Sequence, residues 1–140
     1  MIIKPFVSYY NLLIINPDKM VINQKREGDK MKVVFHINEK TKAKVLLSNV
    51  QNFYKCTKED KEVTAIEILI NGEAIDLALK DSLIEFSQLL SLNVEIMACK
   101  NSLESRNYLP NQLQNGILLV NSGVVELARK QTHGYAYIKP

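Results

Sequence analysis

Tryptophan is absent from this 140-residue chain, and cysteine, proline and glycine are sparse at two, four and five. So little glycine and proline, with no repeat and no low-complexity tract, excludes fibrous and solenoid architectures. The two cysteines, Cys56 and Cys99, have no CxxC spacing, which excludes a disulfide scaffold and predicts free thiols in a reducing, cytoplasmic compartment. The two histidines, His36 and His133, lie far apart, and no ligand spacing calls for a metal. GxGxxG, P-loop and GxSxG patterns are missing, so no nucleotide fingerprint or serine-hydrolase elbow is present, and no cofactor is called for. A basic face is missing too. Residues 1–30 hold five basic and three acidic side chains, and the remaining 110 hold thirteen and twelve, with the signs interspersed. That balance argues against nucleic acid as a partner. The longest early apolar run, Pro5 to Ile15, is about ten residues, half of the roughly 20 that a membrane span needs. No small-residue cleavage site follows it, so neither a membrane anchor nor a signal peptide is expected.

What is present begins in earnest at Met31. Before it, Asn23 to Lys30 is a polar run without periodicity. Back-translation of Arg26 to Met31 admits a purine-rich ribosome-binding sequence just upstream of the Met31 codon. Residues 1–30 are therefore expected to be an N-terminal extension, either disordered or a translated leader. The alternative is an arm that packs on a neighbouring subunit.

From Met31 onward strand and helix patterns alternate. Lys32 to Asn38, Val63 to Ile70, Asn93 to Cys99, Ile117 to Val120 and Tyr135 to Ile138 are apolar, β-branched or aromatic runs fit for strands. Between them, Ala43, Leu46, Leu47, Val50, Phe53 and Tyr54 make one helical stripe. Ile75, Ala78, Leu79, Leu83, Phe86, Leu89 and Leu90 predict a second helix running to about Leu92. Short helices are expected at Ser102 to Asn107 and Gly123 to Gln131. Strands joined through helices require crossovers, hence an α/β fold with a mainly parallel five-stranded sheet and helices on both faces. Glu67 and Glu95 interrupt the apolar strands and are expected to mark a sheet region left uncovered near an edge.

Ligands of open α/β sheets bind beyond the carboxyl ends of the strands. Those ends carry Asn38, then Asn71 and Gly72, then Cys99, Asn101 and Ser102, then Ser122 and Gly123. Each of these residue types is also a turn former or helix cap, and both readings stay open. Cys99 differs by chemistry. It ends a strand just before a helix start, where partial positive charge and free N–H groups favour a thiolate, and Lys100 and Arg106 follow it. The alternative is an inert small core residue. Cys56, in the last turn of a helix, lies where a thiolate is disfavoured. His36 alternates away from Phe35 and Ile37 and is either a hydrogen-bonded structural residue or a neighbour of Cys99.

Five stretches, in order, resemble the DsrE/DsrF-like family of small sulfur-relay proteins: Lys32 to Asn38, Ile70 to Ala74, Ala98 to Leu103 with Arg106, Ser122 to Leu127, and Gln131 to Pro140. The resemblance covers residues 31–140 and leaves residues 1–30 outside it. It implies a flavodoxin-like three-layer sandwich, assembled as a homotrimer or homohexamer. It further implies that Cys99 carries a persulfide, that Arg106 is the accompanying basic residue, and that donor and acceptor proteins bring and take the sulfur. Three functions compete on these residues. The first is a sulfur carrier or sulfurtransferase with its sulfur on Cys99. The second is a non-enzymatic oligomeric module binding a small ligand at the strand ends. The third is a thiol redox sensor forming a sulfenate on Cys99.

Overall fold

The computed structural model describes residues 11–16, 19–23, 31–59 and 63–140. The chain divides into two units, residues 1–30 and residues 31–140. In the first, β1 (Asn11–Asn16) and β2 (Lys19–Asn23) pair as an antiparallel hairpin with a bulge between Ile14 and Asn16. The expectations for residues 1–10 and 24–30 lie outside the described residues.

The second unit is an all-parallel, five-stranded α/β sheet. Its strands are β3 (Met31–Ile37), β4 (Val63–Ile70), β5 (Glu95–Cys99), β6 (Leu118–Val120) and β7 (Tyr135–Ile138), in the spatial order β6-β5-β4-β3-β7. The chain steps outward from β3 to β6 and then returns across the whole sheet to place β7 beyond β3. Crossovers between parallel strands are right-handed, so reversing the direction of travel moves the connecting helix to the other face. The packing follows that rule. Helices α1 (Ala43–Thr57), α2 (Ser87–Ser91) and α3 (Lys100–Ser105) cover one face, where Leu46, Val50, Leu89 and Leu103 meet Val33, Phe35, Ile37, Ile66, Ile68, Ile70 and Ile96. Among the described residues, helix α4 (Gly123–Thr132) alone covers the opposite face, where Leu127 meets Val34 and Leu69. Among the described residues no helix is long and apolar enough to cross a membrane.

Two expectations are corrected. The predicted second helix is broken into a 3-10 segment, Gly72–Ala78, an irregular stretch, and the short α2. The apolar stripe is buried at Ile75, Ala78, Leu79, Phe86 and Leu89, but Leu83 stands fully exposed. The break is held by Gln114. Its amide nitrogen donates to the carbonyls of Leu77, Leu79 and Ile84, and its Oε1 accepts from the Phe86 N–H at 3.0 Å. Backbone groups that a helix would pair four residues apart are met by one side chain 28 to 37 residues away.

The second correction concerns Glu67. It sits on β4, the central strand and not an edge, and is fully buried. Lys130 of α4 meets it at 2.9 Å. Burial holds the Glu67 carboxyl above its ordinary value, although Lys130 pulls the other way, and contact with Glu67 raises Lys130 in turn despite that residue's own burial. Its register neighbour on β5, Glu95, is exposed.

Candidate functional site

Connections leaving β3, β4 and β5 turn to the face of α1, α2 and α3, whereas the connection leaving β6 turns to the face of α4. Between β5 and β6 the chain therefore parts to opposite sides, and such a switch point opens a crevice at the carboxyl ends of the strands. Cys99 ends β5 and Ser122–Gly123 follows β6, so the thiol lies in that crevice.

Cys99 occupies the N-cap position of α3, with extended backbone angles. It makes no close capping hydrogen bond there, but it stands where a serine or aspartate cap would stand. On its other side α4 begins, and the Gly123 N–H donates to Sγ at 3.3 Å. Ser122 caps α4 by accepting from the Val125 N–H. The approach is tight: a Cβ at position 123 would lie 3.3 Å from Cys99 Cβ and 3.4 Å from the Asn71 side chain.

Ser102 also favours the thiolate. The Gly72 N–H donates to Ser102 Oγ at 2.8 Å. With that lone pair engaged, the hydroxyl proton is free to point at the sulfur. Gly72 makes this bond from a left-handed conformation, φ +58°, with Asn38 packed 3.4 Å from where a Cβ would sit. Burial by itself raises a thiol. Here it is outweighed by the Ser102 hydroxyl and by the N–H groups of Ser102, Gly123 and Asn101, so Cys99 ionises below its ordinary value.

The predicted basic neighbours do a different job. Arg106 makes a bidentate pair with Asp76, both bonds at 2.8 Å, and Lys40 reaches the same carboxylate at 3.0 Å. These bonds hold Asp76 well below the usual carboxylate range and raise Arg106. Lys100 lies 3.8 Å from Glu104 on the surface. Thiolate stabilisation at Cys99 thus comes from hydroxyl and backbone dipoles.

Of the strand-end residues, Asn101, Ser102 and Gly123 adjoin the thiol, Gly72 holds the Ser102 hydroxyl, Asn71 lies beside Gly123, and Ser122 caps α4. Asn38 backs Gly72, with its Oδ1 buried and unpaired. His36 joins the same end of the sheet: its Nε2 lies 2.8 Å from Asn71 Oδ1 and its Nδ1 2.6 Å from the Tyr137 hydroxyl. Tyr137 was not singled out by sequence reasoning, although alternation within YAYI puts Tyr135 and Tyr137 on one face. Cys99 is 5% exposed, whereas Cys56 is exposed. A cleft of about 350 Å³ adjoins the crevice on the outer side of α4, lined by Val120, Asn121, Ser122, Val125, Glu126 and Arg129. Among the described residues no group of three metal-ligating side chains occurs.

A family model described as the DsrE/DsrF-like family matches residues 31–140. Among solved structures, the protein of unknown function MTH1491 from Methanobacterium thermoautotrophicum is similar at 32% identity with a TM-score of 0.69, over 79% of this chain and 100% of that one. The ychN protein from E. coli shares the fold at 17% identity and a TM-score of 0.58, over 79% of this chain and 99% of that one. No curated protein matches.

Proposed function

The chain belongs to the DsrE/DsrF-like family, and from that premise we propose that it is a sulfur carrier, holding sulfane sulfur as a persulfide on Cys99 and passing it to a partner thiol. Family membership points to a sulfur-relay role in general. The observation that carries the specific assignment is the polar lining of one sulfur: the Gly123 N–H donates to Cys99 Sγ at 3.3 Å, and Ser102 and Asn101 beside it favour ionisation of the thiol. Such donors favour the anionic form of sulfur that attacks and leaves in exchange chemistry.

The steps balance without an outside oxidant. The Cys99 thiolate attacks the outer sulfur of a donor persulfide, R–S–SH. A new S–S bond forms as the donor's own S–S bond breaks, and the donor departs as RS⁻ with the electron pair. Cys99–S–SH then releases a proton to solvent and is held as Cys99–S–S⁻. Reprotonated, it is attacked at its outer sulfur by an acceptor thiolate, and Cys99 leaves as thiolate. No cofactor enters. Because the thiol shows so little surface, the donor must present its outer sulfur end-on to the crevice between α3 and α4.

Incubation with inorganic polysulfide followed by mass spectrometry tests this assignment. The expected result is a gain of about 32 Da, one sulfur atom, on the Cys99 peptide, absent in Cys99→Ser and retained in Cys56→Ser. A gain of about 16 Da under peroxide with no uptake of sulfur would favour the sensor instead. Silence to both reagents would favour a ligand-binding module.

A further inference from the structure

The side chain of Asn71 is oriented from behind. Its Oδ1 meets His36 Nε2 at 2.8 Å, and an amide oxygen only accepts, so Nε2 carries the proton. In the neutral imidazole Nδ1 is then bare and accepts from the Tyr137 hydroxyl at 2.6 Å. Tyr137 anchors this chain from β7, His36 from β3, and Asn71 lies in the turn after β4. The three residues share no other evident task. His36 is buried, and a buried imidazole satisfied at both nitrogens fixes whatever it holds.

With Oδ1 committed to His36, Nδ2 must face the other way. Nδ2 and Cys99 both border Gly123: the position of a Cβ on that glycine is 3.4 Å from Asn71 Nδ2 and 3.3 Å from Cys99 Cβ. Among the described residues Nδ2 has no acceptor. The opposite amide orientation would turn Oδ1, an acceptor, towards a sulfur that is itself favoured as an anion. Gly123 already donates to Sγ, and Ser102 favours its ionisation. A second sulfur stands about 2 Å beyond Sγ, and it needs a donor of its own.

We propose that the Asn71 amide N–H binds the terminal, anionic sulfur of the Cys99 persulfide, with His36 and Tyr137 as its positioning residues. This rests on the sulfur-carrier assignment and adds a substrate class to it. The site favours a sulfur that ends in a charge over the neutral alkyl sulfur of a mixed disulfide.

Wild type, Asn71→Ala, Asn71→Asp and Tyr137→Phe are loaded with inorganic polysulfide and desalted, and the remaining persulfide is followed by cyanolysis. Losing one donor to an anion should shorten the persulfide lifetime about tenfold in Asn71→Ala. Asn71→Asp should lose it faster still, because a carboxylate keeps the shape and accepts from His36 but offers the sulfur no donor. Tyr137→Phe, an isosteric change at a half-exposed position, should fall between wild type and Asn71→Ala. A residue that only fills space gives the reverse order, with Asp nearer wild type than Ala. That order, or wild-type lifetimes in both Asn71→Asp and Tyr137→Phe, overturns the proposal while leaving the carrier assignment standing. Wild type that takes up no sulfur overturns both.

Discussion

At Cys99 the balance of opposing effects decides the chemistry. Burial works against the thiolate and the surrounding donors win, so the folded protein ionises this group at lower pH than the unfolded chain, whose thiol lies near 9.0. A depressed group adds stability above its unfolded value and loses that contribution as pH falls through its folded value. Wild type should therefore gain stability relative to Cys99→Ser as pH rises through the alkaline range towards 9.0, and chemical denaturation at a series of pH values measures it. In Ser102→Ala the hydroxyl is gone, so the pH midpoint for alkylation of Cys99 should move up. An unmoved Cys99 midpoint would mean that the Ser102 hydroxyl points elsewhere. The sequence placed Cys99 before a helix start correctly, but it credited Lys100 and Arg106 with the charge effect. Glu104 and Asp76 absorb those cations, and a bidentate pair between residues 30 apart leaves no trace in local spacing.

Elements whose apolar pattern is satisfied locally were legible. All five strands of the α/β unit, α1 and α4 fall within a few residues of their predicted bounds, because each pairs a clear period with a clear stop such as Asn71-Gly72. The stretch from Ile75 to Leu92 was not, although its stripe is as good as that of α1. Helical spacing guarantees that residues can share one face, not that the backbone between them stays helical. Here Lys80 N–H bonds to the Gln112 carbonyl and Gln114 N–H to that of Ala78, and the Gln114 amide takes up four further backbone groups. Gln114→Ala would strand those groups, and thermal or urea unfolding should show a loss of about 3 kcal/mol. A loss under roughly 0.5 kcal/mol would mean that water replaces the amide at little cost. Glu67 failed to be legible for a related reason: its partner Lys130 lies on an element 63 residues later in the chain. Lys130→Met leaves the carboxyl buried without its cation and should cost about 3 kcal/mol, partly recovered at low pH where Glu67 is protonated. The recovery follows from the sign of its shift, since a carboxyl raised by burial is least unfavourable below its ordinary value of 4.5.

For the whole molecule, the two faces of the sheet are unequal. Among the described residues three helices cover one and α4 alone the other; Glu95 is exposed, and Leu118, Val124 and Val125 are at 57%, 71% and 47% exposure around β6 and the start of α4. Exposed apolar side chains beside an edge strand that is only three residues long fit a subunit contact better than a solvated surface. The same region borders the Cys99 crevice through Ser122 and Gly123, so assembly there would wall the crevice and restrict which donors reach the thiol. Light scattering should give a homotrimer or homohexamer, and Val124→Lys with Leu118→Lys should shift the mass towards the monomer while the far-ultraviolet dichroism stays unchanged. A wild-type monomer at micromolar concentration would sink this. The N-terminal unit enters as a separate variable. Residues 31–140 contain every strand of the five-stranded sheet, both hydrophobic clusters and all the residues gathered at Cys99. A chain beginning at Met31 should therefore keep the thermal midpoint, the particle mass and the capacity for sulfur of the longer one. If instead the mass falls while the midpoint holds, residues 1–30 are an arm that bridges subunits. If the midpoint itself drops by many degrees, the arm completes the fold of its own domain.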